Sequence, residues 1–262
     1  LGLPVYQPAT LRKPEEVERV RHLKPDRIVL AAYGRLIPPE ILAIPPLACL
    51  NVHPSLLPKY RGPSPIIAPI LAGDEETGVT LFILDESMDT GPVLAQKSMP
   101  ISPEDTGETL SLKLAQLGSE LLLETVPRWA RDEIKPQPQD HSQATYTHII
   151  KKEDGRLDWS RPSVELWRQV RAYQPWPGAY TNWKGSLLKV LACEPIAAPV
   201  EGEPGRVLLV PDPRLPGASL PAVQKGQGLL VLRKLQLEGR RSLEAHVFLR
   251  GERDFAGSRL GG

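Results

Sequence analysis

Residues 50–62 read LNVHPSLLPKYRG, and two short apolar runs, at 27–33 and 49–52, lead into them. Such runs are typical of buried strands. Asn51 and His53 are two residues apart, so their side chains point to the same face of a strand. Because open α/β sheets bind ligands at the carboxyl ends of their strands, we expect both to open into one pocket. An isolated Asn-x-His pair is more often an ordinary core contact, so the neighbouring motifs decide the interpretation.

A second segment, GVTLFILDESMDTGP at 78–92, alternates like a strand and ends in a turn. Asp favours such a turn, and Gly91 supplies conformational freedom after it. If the two strands are neighbours, the carboxylate of Asp89 can reach His53. Asn51, His53 and Asp89 would then supply an oxyanion donor, an acid/base and a group that orients the base. On spacing alone, an Asp in this position is more often a turn residue.

The first half of the chain predicts an α/β domain over residues 1–134. Predicted strands alternate with helices, including a helix at 14–23 and a long helix after the capping-box pattern DTGE at 105–108. This alternation is typical of a Rossmann-like, mostly parallel, doubly wound sheet. A helix with Leu residues on one face is expected to pack in the core.

The second half changes character. Residues 135–150 are rich in Pro and polar residues and predict a semi-stiff linker. His141 and His148 in this segment belong to no partner motif and are expected to be solvated. From 151 to 262, short predicted strands are separated by Gly and Pro, which predicts a smaller OB-like β-barrel domain. Its Trp residues are expected to be core rather than base-stacking platforms: Trp159, Trp167, Trp176 and Trp183.

Composition excludes two kinds of protein. No run of 18 apolar residues occurs, so no membrane helix is expected. Cys49 and Cys193 are far apart and match no metal-ligand spacing, so both read as buried free thiols of a reducing compartment. We therefore expect no metal and no membrane partner.

Charge is unevenly distributed along the chain. Residues 1–147 carry 14 Lys and Arg against 19 Asp and Glu, a net charge of −5, whereas residues 148–262 carry 18 against 12, a net charge of +6. A basic half indicates a polyanionic partner, although ordinary scatter of surface charge gives the same pattern. The candidate phosphate contacts are Lys184, Lys189, Arg206, Arg233, Lys234, Arg240 and Arg241.

Taken together, the motifs resemble a known family. The stretch NVHPSLLP, with the RG and DTG that follow it, is similar to the formyltransferases that use 10-formyltetrahydrofolate, and within them to the branch that formylates methionyl-tRNA. Three further stretches favour that branch, and the likeness runs from about residue 3 to about residue 260. They are AYGRLIP at 32–38, KKEDGRLDW at 151–159 and QPWPGA at 174–179.

The resemblance implies an enzyme of translation initiation that transfers a formyl group from 10-formyltetrahydrofolate to the α-amine of methionyl-initiator tRNA. We expect a cytoplasmic monomer that needs no metal. The resemblance implies that Asn51 stabilises the oxyanion, that His53 shuttles the proton and that Asp89 holds the His tautomer and stabilises its cation. It also implies a folate pocket formed by Ala32, Tyr33, Gly34, Ile37, Ser55, Leu56, Leu57, Pro58 and Asp85.

One departure from the family concerns the amino end. The chain opens with LGLPVYQP and has no initiating Met. We expect it to lack the first strand-helix-strand unit of the family, a unit of about 30 residues or more. The α/β domain is therefore expected to be partial, with its amino end truncated.

Three alternatives remain open from the sequence. The same Asn-x-His and Asp trio serves formyl transfer to glycinamide ribonucleotide and hydrolysis of formyltetrahydrofolate, but neither reaction should need a basic barrel of over 100 residues. The chain could also be an inactive tRNA-binding fragment, which folate retention by the purified chain would discriminate. A sugar-nucleotide formyltransferase would carry a different second domain, and the QPWPGA stretch speaks against it.

Overall fold

The computed structural model describes residues 2–198, 203–224 and 228–261, which form two compact units. Unit 1 comprises Leu1–Ile66, Glu76–Pro100 and Ser111–His148. Unit 2 comprises Ile67–Glu75, Ile101–Leu110 and Ile149–Gly262. Both units are therefore assembled from segments that are not contiguous in the chain.

Helices and strands alternate in the first part of the chain, and strands dominate the second. The helices are α1 (Pro14–His22), α2 (Pro39–Leu42), α3 (Ile67–Ala72), α4 (Gly107–Ala130), α5 (Ser163–Ala172) and α6 (Ala245–Gly251). The strands are β1 (Ile28–Ala31), β2 (Cys49–His53), β3 (Glu76–Ile83), β4 (Val93–Pro100), β5 (Ala179–Trp183), β6 (Ser186–Ile196), β7 (Val207–Pro211), β8 (Ser219–Gln224), β9 (Leu229–Leu237) and β10 (Leu243–Glu244).

The sheet of unit 1 has the order β1-β2-β3-β4. Only β1 and β2 are parallel, whereas β2–β3 and β3–β4 are antiparallel. The prediction of a mostly parallel sheet is therefore wrong for the described strands. The connection between β3 and β4 is residues 84–92, which is too short for the crossover of a dozen or more residues that parallel strands need. This short connection is also the turn that carries Asp89.

Helix α4 covers one face of the sheet in unit 1. A Cβ added at Gly118 would lie 2.9 Å from Cγ1 of Val52, so the helix approaches β2 closely only because this residue is Gly. Near the end of the helix, Trp129 Nε1 donates to the carbonyl oxygen of Leu47 at 3.1 Å. Val52 points to the face of β2 opposite to its neighbours in sequence. The face that carries Asn51 and His53 is therefore the one that α4 does not cover.

Unit 2 is built around an antiparallel sheet of order β5-β6-β9-β8-β7, with β10 paired to β9. Residues 257–261 lie between its outer strands: Leu260 N donates to Gly205 O at 2.9 Å, and Gly261 N donates to Asn182 O at 3.0 Å. Over the described residues, β5 and β7 are not paired with each other. The described strands therefore form no closed barrel, since the segment at 257–261 lies between the two edges, and the OB-like barrel predicted from strand spacing is not confirmed.

Aromatic rings fill part of the core of unit 2. The Phe255 ring packs edge-on against Trp183 and Phe248, with ring centroids 5.1 Å apart in both pairs. Trp159 is buried as predicted and Trp167 packs against the same core. The core prediction is wrong for Trp176, whose surface is 59% exposed because it lies in the loop between α5 and β5.

Across the described ranges, no helix combines the length and the apolar character that crossing a bilayer requires. The longest helix, α4, carries several charged residues along its 24 positions.

We expect Phe255→Ala to destabilise the protein by about 3–5 kcal/mol, because Phe255 is fully buried and its removal leaves a cavity that the neighbouring rings cannot fill. Chemical denaturation measures the free energy of unfolding. Leu209→Ala is the control, since Leu209 is 52% exposed. A loss below about 1 kcal/mol for Phe255→Ala would contradict the packing described.

Candidate active site

Strand β2 places two polar side chains on one face. Asn51 and His53 alternate with Leu50 and Val52, so both point away from α4. His53 is only 4% exposed, and its ring packs edge-on against Phe82 with centroids 6.4 Å apart. The Asn51 side chain is half-buried and has no hydrogen-bond partner among the described residues. Its amide is therefore available to a ligand next to the imidazole.

The carbonyl oxygen of Tyr60 fixes the tautomer of His53. His53 Nε2 lies 3.0 Å from this oxygen. A carbonyl only accepts, so Nε2 carries the hydrogen and Nδ1 is the basic nitrogen of the neutral ring. Tyr60 adopts a left-handed backbone conformation, with φ of 61°, which is unusual for a bulky residue. This contact was not predicted from the sequence, because a backbone carbonyl in a turn has no residue signature.

The turn after β3 brings Asp89 to the imidazole. Asp89 Oδ2 is 3.8 Å from His53 Nδ1 and accepts a hydrogen bond from Gly62 N at 2.8 Å. The 3.8 Å separation is longer than a hydrogen bond, so the carboxylate acts on His53 through its charge. Gly91 allows the turn to close, since a Cβ there would lie 1.8 Å from the carbonyl oxygen of Ile83. The structure thus brings together all three predicted catalytic residues.

Burial lowers the pKa of His53, because desolvation disfavours the charged imidazolium. The negative charge of Asp89 and the hydrogen bond to Tyr60 act in the opposite direction and raise it. Burial is the larger effect, so the folded protein holds His53 neutral at neutral pH. A neutral Nδ1 beside a carboxylate can accept a proton and share the resulting cation with that carboxylate.

The loop at 55–58 follows the site and is tied to the sheet. Thr80 Oγ1 donates to Ser55 O at 2.7 Å and accepts from Leu57 N at 3.0 Å. Gln96 Nε2 donates to Leu57 O at 2.7 Å. The Ser55 side chain is fully buried and donates to Lys59 O at 2.7 Å, and the Leu57 side chain is also buried. Both side chains thus shape the loop from inside, while Leu56 and Pro58 are partly exposed.

The other residues predicted to bind folate follow β1 or lie in the turn of Asp89. Ala32 and Gly34 adopt left-handed conformations, with φ of 51° and 69°, and Ile37 is half-buried. Tyr33 is 40% exposed and lines a cavity of about 380 Å³ together with Thr10, Leu11, Arg12, Arg35 and Leu36. Asp85 accepts from Thr90 Oγ1 at 2.8 Å, so its carboxylate stabilises the turn. Because β1 and β2 are parallel, their carboxyl ends lie at the same edge of the sheet.

No group of three or more His, Cys, Asp or Glu side chains that could hold a metal ion occurs in the part of the chain that the structure describes. The site consists of an amide, an imidazole and a carboxylate. This set suits hydrogen bonding and proton transfer.

The basic residues of unit 2 differ in their availability. The prediction of Arg233 as a phosphate contact is wrong, because its guanidinium is largely buried and forms ion pairs with Glu194 and Asp212. Lys184 pairs with Asp254 and Arg240 with Glu252. Four candidates form no ion pair with any described residue, and they are Lys189, Arg206, Lys234 and Arg241.

The amino-acid sequence matches two protein-family descriptions, "Formyl transferase" at residues 3–126 and "Formyl transferase, C-terminal domain" at residues 149–253. Methionyl-tRNA formyltransferases of Roseiflexus sp. (strain RS-1) and Myxococcus xanthus (strain DK1622) are both 46% identical to the chain. These matches cover 100% and 98% of the chain and 78% and 80% of the two relatives. The chain belongs to the methionyl-tRNA formyltransferase family. The resemblance seen in the motifs is thereby confirmed.

Solved structures show the same fold outside the methionyl-tRNA formyltransferase family. HypX from Aquifex aeolicus, in complex with tetrahydrofolic acid, superposes with a TM-score of 0.64 at 24% identity. That match covers 90% of this chain but only 41% of HypX. WlaRD, a sugar 3N-formyl transferase solved in the presence of dTDP and 5-N-formyl-THF, gives a TM-score of 0.63 at 20% identity, over 84% of this chain and 77% of WlaRD. At these identities the likeness shows the fold alone.

We expect His53 to titrate below the ordinary His pKa of about 6.5, and Asp89→Asn to lower the pKa of His53 further. The variant removes the anion that stabilises the imidazolium, so the proton leaves at a lower pH. NMR titration of the ring protons measures this, with His53→Gln to assign the signal among the five His residues. A rise of the His53 pKa in Asp89→Asn would contradict the arrangement.

Proposed function

We propose that the protein transfers the formyl group of 10-formyltetrahydrofolate to the α-amine of methionine esterified to initiator tRNA. The observation that carries this proposal is the Asn51 amide, which has no hydrogen-bond partner among the described residues, beside the buried His53 imidazole, whose Nδ1 lies 3.8 Å from Asp89 Oδ2. Two relatives, matched by this chain over 78% and 80% of their own length, are named for the same reaction. The proposed reaction belongs to translation initiation.

The reaction is acyl transfer of a one-carbon unit. The amine nitrogen of methionine attacks the formyl carbon, forming a C–N bond and a tetrahedral intermediate with negative charge on the formyl oxygen. The bond from that carbon to N10 of the folate then breaks, and N10 leaves with a proton. The amine loses one proton and N10 gains one, so a single base that returns its proton completes the reaction.

The three side chains divide this work. Asn51 donates its free amide to the developing oxyanion, a contact whose removal typically lowers the rate by about 10²–10³-fold. His53 Nδ1 takes the amine proton and returns it to N10. Asp89 stabilises the imidazolium at 3.8 Å, while the Tyr60 carbonyl, rather than Asp89 as the sequence predicted, holds the tautomer.

The folate is proposed to lie along the carboxyl edge of β1 and β2. Support comes from the position of the segment after β1, the partly exposed Leu56 and Pro58, and the folates named in related structures of this fold. Ser55 and Leu57 would act by shaping the loop, because their side chains are buried. Asp85 would act by holding the turn of Asp89.

The second half of the chain is proposed as the platform for tRNA. We propose the division into a catalytic domain at 1–134, a linker at 135–150 and an OB-like tRNA-binding domain at 151–262. Support comes from the net positive charge of residues 148–262 and from Lys189 and Lys234, which carry no ion pair among the described residues. We also propose that the protein acts as a cytoplasmic monomer.

The alternatives are less well supported. Glycinamide ribonucleotide formylation and formyltetrahydrofolate hydrolysis need no second domain of this kind, and the relatives are named for methionyl-tRNA. Sugar N-formyltransferases share the fold at only 20–22% identity.

A formyl-transfer assay on the chain tests the proposed reaction. With 10-formyltetrahydrofolate, we expect product with charged initiator Met-tRNA and none with glycinamide ribonucleotide. His53→Ala should lower the rate by about 10²–10⁴-fold and Asn51→Ala by about 10²–10³-fold, with the fold retained. Leu209→Ala, on the exposed surface, is the control. Turnover of His53→Ala at the rate of the unmodified protein would refute the assigned role.

The tRNA platform predicts salt-dependent binding, because phosphate contacts release counterions. Lys189 and Lys234 lie on neighbouring strands β6 and β9. We expect the double variant Lys189→Ala with Lys234→Ala to weaken tRNA binding and to reduce the slope of log affinity against log salt by about 2. Titrations of tRNA at several salt concentrations measure the slope, and Lys24→Ala in unit 1 is the matched control. A slope equal to that of the control would contradict the contacts.

A further inference from the structure

Arg61 is a buried cation that has no counter-ion among the residues that the structure describes. It is 1% exposed, and no carboxylate of the described residues pairs with its guanidinium. Burial of an unpaired charge is costly unless hydrogen bonds satisfy it. Its strongest partner is neutral: Gln139 Oε1 accepts from Arg61 Nη2 at 2.6 Å and from Nε at 3.2 Å. His141 Nδ1, at 3.0 Å, and the Tyr146 hydroxyl, at 3.4 Å, complete the set.

Gln139 connects this cation to the turn of Asp89. Its Nε2 donates to the carbonyl oxygens of Asp89 at 3.0 Å and of Gly91 at 2.8 Å. An Arg only donates and a carbonyl only accepts, so the residue between them needs an acceptor oxygen and two N–H donors. Only a primary amide side chain supplies both. The amide orientation is therefore fixed, with its oxygen toward Arg61 and its nitrogen toward the turn.

The turn of Asp89 needs such support. Asp89 has a φ of 55°, in the left-handed region, where a residue other than Gly is strained and persists only if its surroundings hold it. Gln139 holds the carbonyls on both sides of Thr90. The carboxylate on the same turn lies 3.8 Å from His53 Nδ1.

The backbone around Arg61 holds the same two catalytic groups from the other side. Tyr60, before it, offers the carbonyl that binds His53 Nε2, and Gly62, after it, offers the N–H that binds Asp89. Arg61 itself pairs through its backbone with Tyr146, in the region predicted as a semi-stiff linker. His141 is exposed, as predicted, and its ring nitrogen also contacts Arg61.

We propose that Arg61 and Gln139 are positioning residues of the formyl-transfer site, which together fix the distance between the Asp89 carboxylate and the His53 imidazole. The kinetic part of this inference rests on the proposed function. The geometric part does not, because the separation of the two groups can be measured without turnover.

Two substitutions at Gln139 test the inference. Gln139→Glu keeps an acceptor for Arg61 but removes both donors to the turn, and Gln139→Met removes all polar contacts without adding charge. We expect both to lower kcat by about 10- to 100-fold, as misplacement of a catalytic group does, and to leave KM for both substrates within about twofold. The matched control is Gln143→Met, since Gln143 is exposed and, within the described ranges, its side chain donates only to Asp140.

The second measurement is the NMR titration of His53 in Gln139→Met. If the Asp89 turn moves away, the carboxylate no longer raises the pKa of His53, and this pKa falls below that of the unmodified protein. Gln143→Met should leave the titration unchanged. Arg61→Lys provides a second variant, because it keeps the charge but loses the planar fork that holds Gln139, and we expect the same two changes.

The outcomes separate the inference from the proposed function. A kcat for the Gln139 variants within about twofold of the unmodified value, with an unchanged His53 titration, would overturn the inference. An equal loss in Gln143→Met would overturn it as well, since the effect would then be general. If the unmodified chain transfers no formyl group, the proposed function fails, and the His53 titration in Gln139→Met and Arg61→Lys still decides the positioning.

Discussion

The hydrogen bond between His53 Nε2 and the Tyr60 carbonyl determines the chemistry that the site can perform. It leaves Nδ1 as the basic nitrogen and directs it toward the carboxylate of Asp89. Thr145 holds this carbonyl in place from both sides. Tyr60 N donates to Thr145 Oγ1 at 2.8 Å, and Arg61 N donates to Thr145 O at 2.9 Å. The imidazole is therefore oriented by a segment about 90 residues away in sequence.

Local patterns predicted the parts of the site that depend on local structure. The strand of Asn51 and His53, the turn of Asp89 and helix α4 each rest on periodicity or turn chemistry within a few residues. The role of Gln139 has no such signature, since it lies in a polar, Pro-rich stretch and acts through contacts 48 and 50 residues away in sequence. A backbone carbonyl such as that of Tyr60 is equally invisible to residue patterns.

Local sequence patterns also failed to predict the direction of the strands and the pairing of charged side chains. Alternating helices and strands suggested a parallel sheet, but β4 returns beside β3 through a short turn, and that turn delivers Asp89. Arg233 looked like a surface cation, although its side chain lies between two carboxylates supplied by β6 and by the residue that follows β7. Both differences arise from tertiary pairing, which a single sequence does not encode locally.

The segment at 257–261 has a consequence for the behaviour of unit 2 in concentrated solution. An outer strand presents unpaired N–H and C=O groups, which form a template for the edge of another molecule. Here Val207 exchanges backbone hydrogen bonds with residues 257 and 258, and the carbonyl of Asn182 is used by Gly261. One short segment thus occupies backbone groups of both outer strands. This protects the protein against edge-to-edge aggregation and intermolecular extension of the sheet.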